Sequence, residues 1–168
     1  SSLAKTARLF ELVNERVSLM RDVAAVKAAS DDRCVYDAAR ELAVLQDAEA
    51  RAPKLGLSVV AATTFAQLQA DCCKQLEEFW LQRWGPSPPR PQRSLRDLRA
   101  KLGGLNAAIF AAWRAAVEEW KTISCPRLTE EADLLFARTF TANGTCGAPI
   151  YRRMLVAALL SARPQPCL

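Results

Sequence analysis

The sequence of 168 residues contains no histidine and only six glycines, and no apolar run approaches the ~20 residues that span a bilayer. Without histidine, the chain cannot form a Ser-His-Asp or Cys-His nucleophilic site, a zinc site with histidine ligands, or an imidazole general base. Any catalysis must therefore use carboxylates, cations, thiols or the positioning of a substrate. The missing apolar run predicts no membrane-spanning helix and no membrane partner.

None of the six cysteines forms a CxxC pair, so we expect no thiolate metal site and predict no bound metal. Six cysteines are many for a cytosolic protein of this size, and their even number favours disulfides in an exported protein. We therefore expect a secreted or periplasmic protein. Ser1 leads directly into helix-forming sequence, so the leader of such an exported protein would already have been removed.

Strands are not predicted, because no stretch alternates polar and apolar residues with period two and no β-branched run lies between turns. Apolar residues make up 51% and charged residues 24% of the chain, and Ala, Leu, Arg and Glu dominate, which is typical of helices. A chain of this length suits one domain. We therefore predict an all-α, single-domain bundle of about six helices, with three long helices forming the core of the site.

Turn and cap signals divide the chain into these helices. Asp37, Ser58 and Ser94 are the expected N-caps, and Gly56 provides a C-terminal stop. The proline-rich segment 85–93 cannot be helical and is expected to form a semi-rigid connector. The predicted helices cover 3–29, 38–55, 59–84, 94 to Cys125-Pro126, Thr129 to Asn143-Gly144, and Pro149 to the residue before Pro164.

Net charge gives little support to a nucleic-acid partner. The formal charge is +5, but the basic residues are scattered through the helices instead of forming a tail. Aromatic residues do not interleave with them as on a strand-binding platform. We therefore predict no nucleic-acid partner, and a basic helical nucleic-acid binder stays an alternative that would show a steep salt dependence of affinity.

Two cations lie on the apolar face of the first predicted helix. At helical spacing, one stripe of residues 9–27 carries Leu9, Leu12, Arg16, Met20, Val23 and Lys27. Arg16 and Lys27 are about three turns apart, roughly 16 Å at ~1.5 Å per residue. Buried cations need anions, so the counter-charge would come from another part of the chain or from a ligand. The alternative is that both are surface residues whose stems cover the helix shoulder.

Three other predicted helices also place polar residues on apolar faces. These residues are Arg40 and Glu41 on the second helix, just after Asp37, then Gln69, Cys73 and Glu77 on the third, and Arg99 on the fourth. Singly, each fits a solvated charge or a structural pair. Together they predict a cavity lined by Arg16, Lys27, Arg40 and Arg99. Guanidinium forks match carboxylate geometry, so this cavity suits a small ligand with two carboxylates.

The run ELVNERVSLMRDVAAVK, followed by DAARELAVL, resembles the opening of an all-helical chorismate mutase. FAQLQADCCKQLEEF and the later SLRDLRAKLGGLN resemble the secreted subclass, whose single chain carries its own active site. The resemblance implies an isomerase that converts chorismate to prephenate without a cofactor, with chorismate as its small-molecule partner. It also implies that residues 1–84 supply the catalytic helices and that residues 94–168 complete the site.

The resemblance assigns the two substrate carboxylates to Arg16, Arg40 and Arg99. Arg40 is also expected among the catalytic residues. Cys73 stands where a small hydroxyl or amide side chain is usual in the family. Because a thiol is a weak hydrogen-bond donor, this departure affects one bond to a substrate carboxylate.

Two further residues are expected to act on the breaking C–O bond of chorismate. By the resemblance, Lys27 and Glu77 donate hydrogen bonds to its ether oxygen, and Glu77 must be protonated to donate. Burial would raise the pKa of Glu77 and the surrounding cations would lower it. Asp37 and Glu41 match the positions that handle the ring hydroxyl and the adjoining backbone.

The resemblance further suggests that a disulfide between Cys125 and Cys167 joins the C-terminal helices. Other pairings stay open from the residues alone. Cys146 competes for either of those partners, and Cys34 either pairs with Cys72 or one of the two stays reduced.

The main functional alternative is a catalytically inactive secreted helical interaction protein with the same fold. Cys73 mildly favours this alternative, whereas the presence of Arg16, Lys27, Arg40 and Glu41 argues against it. Secreted members of the family are often dimers, which makes a homodimer a candidate oligomeric state.

Overall fold

The computed structural model describes residues 3–30 and 33–164, and every regular element in these ranges is a helix. These ranges contain α1 (Ala4–Ser18), α2 (Met20–Ala29), α3 (Ala38–Lys54), α4 (Val59–Trp84), α5 (Leu95–Trp120), α6 (Cys125–Thr139) and α7 (Pro149–Leu160). A short 3₁₀-helix, Gly144–Gly147, precedes α7. The all-α prediction is confirmed. In this part of the chain, no helix combines the length and the apolar character that crossing a membrane requires.

The first predicted helix is divided at Leu19. The N–H of Leu19 bonds to the carbonyl oxygen of Arg16 at 3.3 Å, three residues back instead of four. Leu19 keeps a right-handed helical backbone with φ −68° and ψ −13°, so α2 continues directly from α1. Arg16 and Lys27 therefore lie on one nearly continuous helical segment.

Three helix starts are fixed by the side chains that the sequence predicts as N-caps. Asp37 Oδ1 accepts from the Arg40 N–H at 2.9 Å, Ser58 Oγ from the Ala61 N–H at 3.2 Å, and Ser94 Oγ from the Asp97 N–H at 3.1 Å. Each bond satisfies a donor that the first helical turn leaves without an acceptor. The caps therefore fix the residues at which α3, α4 and α5 begin, and with them the polar positions near each start.

The predicted boundary between the fourth and fifth helices is wrong. The sequence placed Cys125-Pro126 at the end of one helix and Thr129 at the start of the next, but α5 ends at Trp120 and α6 begins at Cys125. Ser124 is extended, with φ −64° and ψ 148°, and Pro126 lies in the first turn of α6. A proline there loses no hydrogen bond, because the first N–H groups of a helix have no intrahelical acceptor.

Helix α6 also ends earlier than predicted, at Thr139 instead of Asn143-Gly144. Phe140 is extended, with φ −85° and ψ 112°. Asn14 Oδ1 on α1 accepts from the Thr141 N–H at 2.9 Å and from the Thr141 hydroxyl at 3.2 Å. These bonds to α1 replace the helical bonds that the chain would otherwise make beyond Thr139.

Helix α5 lies along α1 and carries the largest buried side chains, Trp113 and Trp120. Trp120 Nε1 donates to Thr6 Oγ1 at 2.8 Å, and that hydroxyl donates to Glu119 Oε2 at 2.7 Å. Trp113 Nε1 donates to a backbone carbonyl of α7 at 3.0 Å. Both indole N–H groups are thus paired, as buried tryptophans require. The pairing ties α5 to both ends of the chain and holds α1 and α5 side by side.

A disulfide joins Cys72 of α4 to Cys146 of the 3₁₀-helix, with 5.2 Å between the two Cα atoms. The alternatives that paired Cys72 with Cys34, or Cys146 with Cys125 or Cys167, are therefore wrong. The 3₁₀-helix that follows α6 packs against α4, which brings Cys146 to Cys72. Cys167 lies outside the described residues, so its pairing with Cys125 stays a prediction.

Opening the Cys72–Cys146 disulfide should lower the free energy of unfolding by about 2–4 kcal/mol, because the bond closes a long loop in the unfolded chain. We expect this loss for the double variant Cys72→Ala/Cys146→Ala in urea unfolding. The single variant Cys72→Ala should lose nearly the same amount, since either change opens the loop. If the double variant instead loses about twice as much unfolding free energy as Cys72→Ala alone, the effect comes from the packing of each side chain and not from the disulfide.

Candidate active site

A cavity of about 120 Å³ opens between α1–α2, α3, α4 and α5. Its charged lining consists of Arg16, Lys27, Arg40, Lys74 and Arg99, with Asp37, Glu41 and Glu77. Cys73 also lines it, so the structure brings together all eight residues that the sequence predicts for the substrate site. With five cations against three carboxyl groups, the cavity attracts a ligand with two negative charges. Within residues 3–30 and 33–164, no three Cys, Asp or Glu side chains are grouped so as to hold a metal ion.

Arg16 is buried where α1 meets α4 and α5, with 6% of its surface exposed. Its Nε donates to Asn106 Oδ1 at 2.7 Å, and its Nη1 donates to Cys73 Sγ at 3.3 Å. Both acceptors are uncharged, and none of the carboxylates in the described ranges forms an ion pair with Arg16. A buried guanidinium with only neutral partners keeps its charge available for an anionic ligand.

Lys27 of α2 and Glu77 of α4 form an ion pair, with 2.5 Å between Nζ and Oε2. Glu77 is buried, with 6% of its surface exposed. Burial raises the pKa of Glu77 above its ordinary value, although the hydrogen bond and the charge of Lys27 act in the opposite direction. Of the two opposing effects on this pKa that the sequence predicts, burial therefore prevails over the charge of Lys27.

Glu41 of α3 is held by two residues of α4. Gln67 Nε2 donates to Glu41 Oε1 at 2.8 Å, and Lys74 Nζ lies 3.1 and 3.3 Å from the two carboxylate oxygens. The hydrogen bond from Gln67, and then that from Lys74, lower the pKa of Glu41. Desolvation acts to lower the pKa of Lys74, but its bonds with Glu41 and Asp71 outweigh this and raise it. Glu41 is therefore an ionised acceptor at neutral pH, in contrast to Glu77.

Arg40 and Arg99 lie at the mouth of the cavity and, unlike Arg16, are exposed. Arg99 Nη2 is 3.7 Å from Asp37 Oδ2, and both of these side chains are about half exposed, at 48%. Helix α3 buries only Ala48 and Ala52, both in its second half, so its first turn lies at the surface. The two guanidinium groups are thus accessible to an anion that enters the cavity.

Two residues of the site were not predicted from the sequence: Lys74 lines the cavity, and Asn106 binds Arg16. Gln69, which the sequence placed on the same apolar face as Cys73 without a role in the site, also lines the cavity. Asn106 lies seven residues after Arg99 on α5, and this spacing, which repeats on one helix face, is a signal that could have found it. Lys74 follows Cys73 directly and lies off the face of α4 that carries Cys73 and Glu77. Its approach to Glu41 therefore depends on how α3 packs on α4.

Residues 6–78 match the family of type II chorismate mutases. Over 126 residues, the chain is 29% identical to the secreted chorismate mutase of Yersinia pestis, and the alignment covers 74% of the chain and 66%, just under two thirds, of that relative.

Solved structures have the same helical fold. The crystal structure of the secreted chorismate mutase from Yersinia pestis has a TM-score of 0.75 at 24% identity and covers 90% of this chain and 94% of that one. The chorismate mutase from Burkholderia thailandensis has a TM-score of 0.70 at 23% identity, with coverage of 94% and 98%. Residues 6–78 thus match the type II chorismate mutase family, as the sequence resemblance predicts, and the solved structures show that the chain has the same helical fold.

Proposed function

We propose that the protein is a chorismate mutase, which converts chorismate to prephenate by an intramolecular rearrangement within one chain. The observation that carries this proposal is the cavity around which α1, α2, α3 and α5 place Arg16, Lys27, Arg40 and Arg99. Chorismate has two carboxylates, and the lining has two more cations than carboxyl groups. The family match of residues 6–78 supports the same activity.

The rearrangement breaks the C–O ether bond while a C–C bond forms, and it needs no nucleophile, metal or proton relay. The protein has to hold the enolpyruvyl side chain over the ring and to stabilise the negative charge that develops on the ether oxygen. Lys27 and Glu77 are the donors in this proposal, and their 2.5 Å pair lies on the cavity wall. An ionised Glu77 could only accept a hydrogen bond, so the active form has Glu77 protonated and Lys27 charged.

The substrate carboxylates are assigned to the arginines. Arg16 is the buried partner of one carboxylate, because its guanidinium is desolvated and bonded only to neutral acceptors. Arg40 and Arg99 bind the other at the mouth of the cavity, where a planar fork pairs with both oxygens of a carboxylate. The ring hydroxyl is assigned to Glu41 and Asp37, and the lowered pKa of Glu41 suits an acceptor.

The protonated form of Glu77 gives the reaction a pH dependence. We expect kcat/KM to be constant at pH values below the pKa of Glu77 and to fall as the pH rises through it, because the donor is lost. The variant Glu77→Gln keeps an N–H donor at every pH, so its profile should be flat over that range. Glu78→Gln is the matched control on the exposed side of α4 and should retain the fall, moved to lower pH because the charge of Glu78 helps to raise the pKa of Glu77. The assignment is wrong if wild type and Glu77→Gln give the same profile.

The activity itself is tested by following the ultraviolet absorbance of chorismate after the protein is added, with the product identified as prephenate by proton NMR. Turnover that saturates with chorismate and scales with protein concentration supports the proposal. Chorismate that decays only at its uncatalysed rate would contradict it and would favour the inactive helical interaction protein.

We also propose that the protein acts outside the cytoplasm. The Cys72–Cys146 disulfide supports this, because disulfides persist in oxidising compartments. The relative from Yersinia pestis is named as secreted. A homodimer stays a prediction from the resemblance, which light scattering of the purified chain would test.

A further inference from the structure

Gln69 is a buried polar residue whose hydrogen bonds are not all made. It lies on α4 with 4% of its surface exposed, and none of the described residues donates to its Oε1. A buried amide oxygen without a partner costs free energy, so natural proteins leave few of them. Gln69 belongs to the lining of the cavity, and none of the described residues accepts a hydrogen bond from its Nε2, so its two N–H groups are available to a ligand that accepts hydrogen bonds.

The position of Gln69 places it beside the buried end of the cavity. It is one turn from Cys73 along α4, about 6 Å at ~1.5 Å per residue. Cys73 accepts from Arg16 Nη1. A side chamber of about 10 Å³ is lined by both Gln69 and Asn106, and Asn106 accepts from Arg16 Nε. Gln69 therefore lies next to both residues that hold the guanidinium of Arg16.

Cys73 is a poor donor for a carboxylate at this end of the cavity. Burial raises the pKa of its thiol above the ordinary value, although Arg16 acts to lower it. The thiol thus stays protonated, and an S–H group is only a weak hydrogen-bond donor. The carboxamide of Gln69 offers two N–H donors and is the stronger neutral group within reach.

We propose that Gln69 binds the same substrate carboxylate as Arg16, as the neutral donor that Cys73 cannot supply. This inference rests on the proposed function and adds a substrate-binding residue to it. The carboxylate does not take part in the bond changes, so its contacts are equally strong in the bound substrate and in the transition state. Loss of such a contact raises KM and leaves kcat nearly unchanged.

The test uses Gln69→Met, which keeps the size of the side chain and removes its polar group. We expect KM for chorismate to rise about 10- to 100-fold with kcat within about twofold of wild type, as for a lost bond to a charged group. Gln69→Glu should raise KM further at neutral pH, because a carboxylate would repel that of the substrate. Since Gln69→Met also removes an unsatisfied buried amide, its urea unfolding midpoint should equal or exceed that of wild type.

Gln75→Met is the matched control. Gln75 is also a glutamine of α4 with an unpaired Oε1, but it is only half-buried, its Nε2 donates to the Tyr151 hydroxyl at 2.6 Å, and it does not line the cavity. Its KM should match wild type.

An unchanged KM in Gln69→Met, or a rise accompanied by a lower unfolding midpoint, would overturn the inference while the proposed function stands. A wild-type protein that leaves chorismate unchanged would overturn both.

Discussion

Replacing Lys27 by alanine should lower kcat by about 3–4 kcal/mol of activation free energy, or roughly 10²–10³-fold, with a smaller change in KM. The physical reason is that Lys27 Nζ, which lies on the cavity wall against Glu77, donates to an oxygen whose negative charge develops only as the ether bond breaks. An interaction made chiefly in the transition state appears in kcat. The measurement is steady-state turnover of chorismate by both proteins.

The same variant has a second signature that a misfolded protein would lack. The hydrogen bond and the charge of Lys27 act to lower the pKa of Glu77. Without Lys27, Glu77 should stay protonated to higher pH, and the alkaline fall of the residual activity should move to higher pH. Lys101→Ala, an exposed lysine of α5 outside the cavity, is the matched control and should behave as wild type. Near-normal turnover by Lys27→Ala would remove Lys27 from the proposed role.

The second large effect is expected for Arg16. Arg16→Ala should lower kcat/KM, with a loss of about 2–5 kcal/mol in transition-state binding free energy, because it removes the buried cation that binds a substrate carboxylate. Most of the loss should appear in KM. Arg16→Lys should restore little of it, since an ammonium group cannot bind Asn106, Cys73 and the carboxylate with the planar fork of a guanidinium.

A control on the same helix separates this effect from loss of charge in general. Arg8 also lies on α1, but it pairs with Glu11 and 62% of its side chain is exposed. Arg8→Ala should leave KM unchanged. The carboxylate assignment fails if Arg16→Ala, folded by circular dichroism, binds chorismate as tightly as wild type.

Local patterns in the sequence predicted most of the site, because helical spacing and caps depend on neighbouring residues. Spacing of three and four residues placed Arg16 and Lys27 on one face, and the Asp37 cap fixed where α3 begins. These features need no knowledge of how the helices pack.

The features that sequence reasoning missed depend on contacts between distant segments. The bond from Arg16 to Asn106 joins residues 90 positions apart, and the pairing of Cys72 with Cys146 spans 74. The early end of α6 likewise depends on the hydrogen bonds that Thr141 donates to Asn14. Spacing along one helix carries no information about which helix lies opposite.

The central claim is that cations from separate helices surround one dianion, with Lys27 and Glu77 at its ether oxygen. It is tested most directly by a crystal structure of the protein with a stable bicyclic dicarboxylate ether that has the shape of the rearranging substrate. We expect one carboxylate at Arg16, the other at Arg40, and the ether oxygen within hydrogen-bond distance of Lys27 Nζ and the Glu77 carboxyl group. A ligand bound outside this cavity, or bound in it with the ether oxygen turned away from Lys27, would contradict the claim.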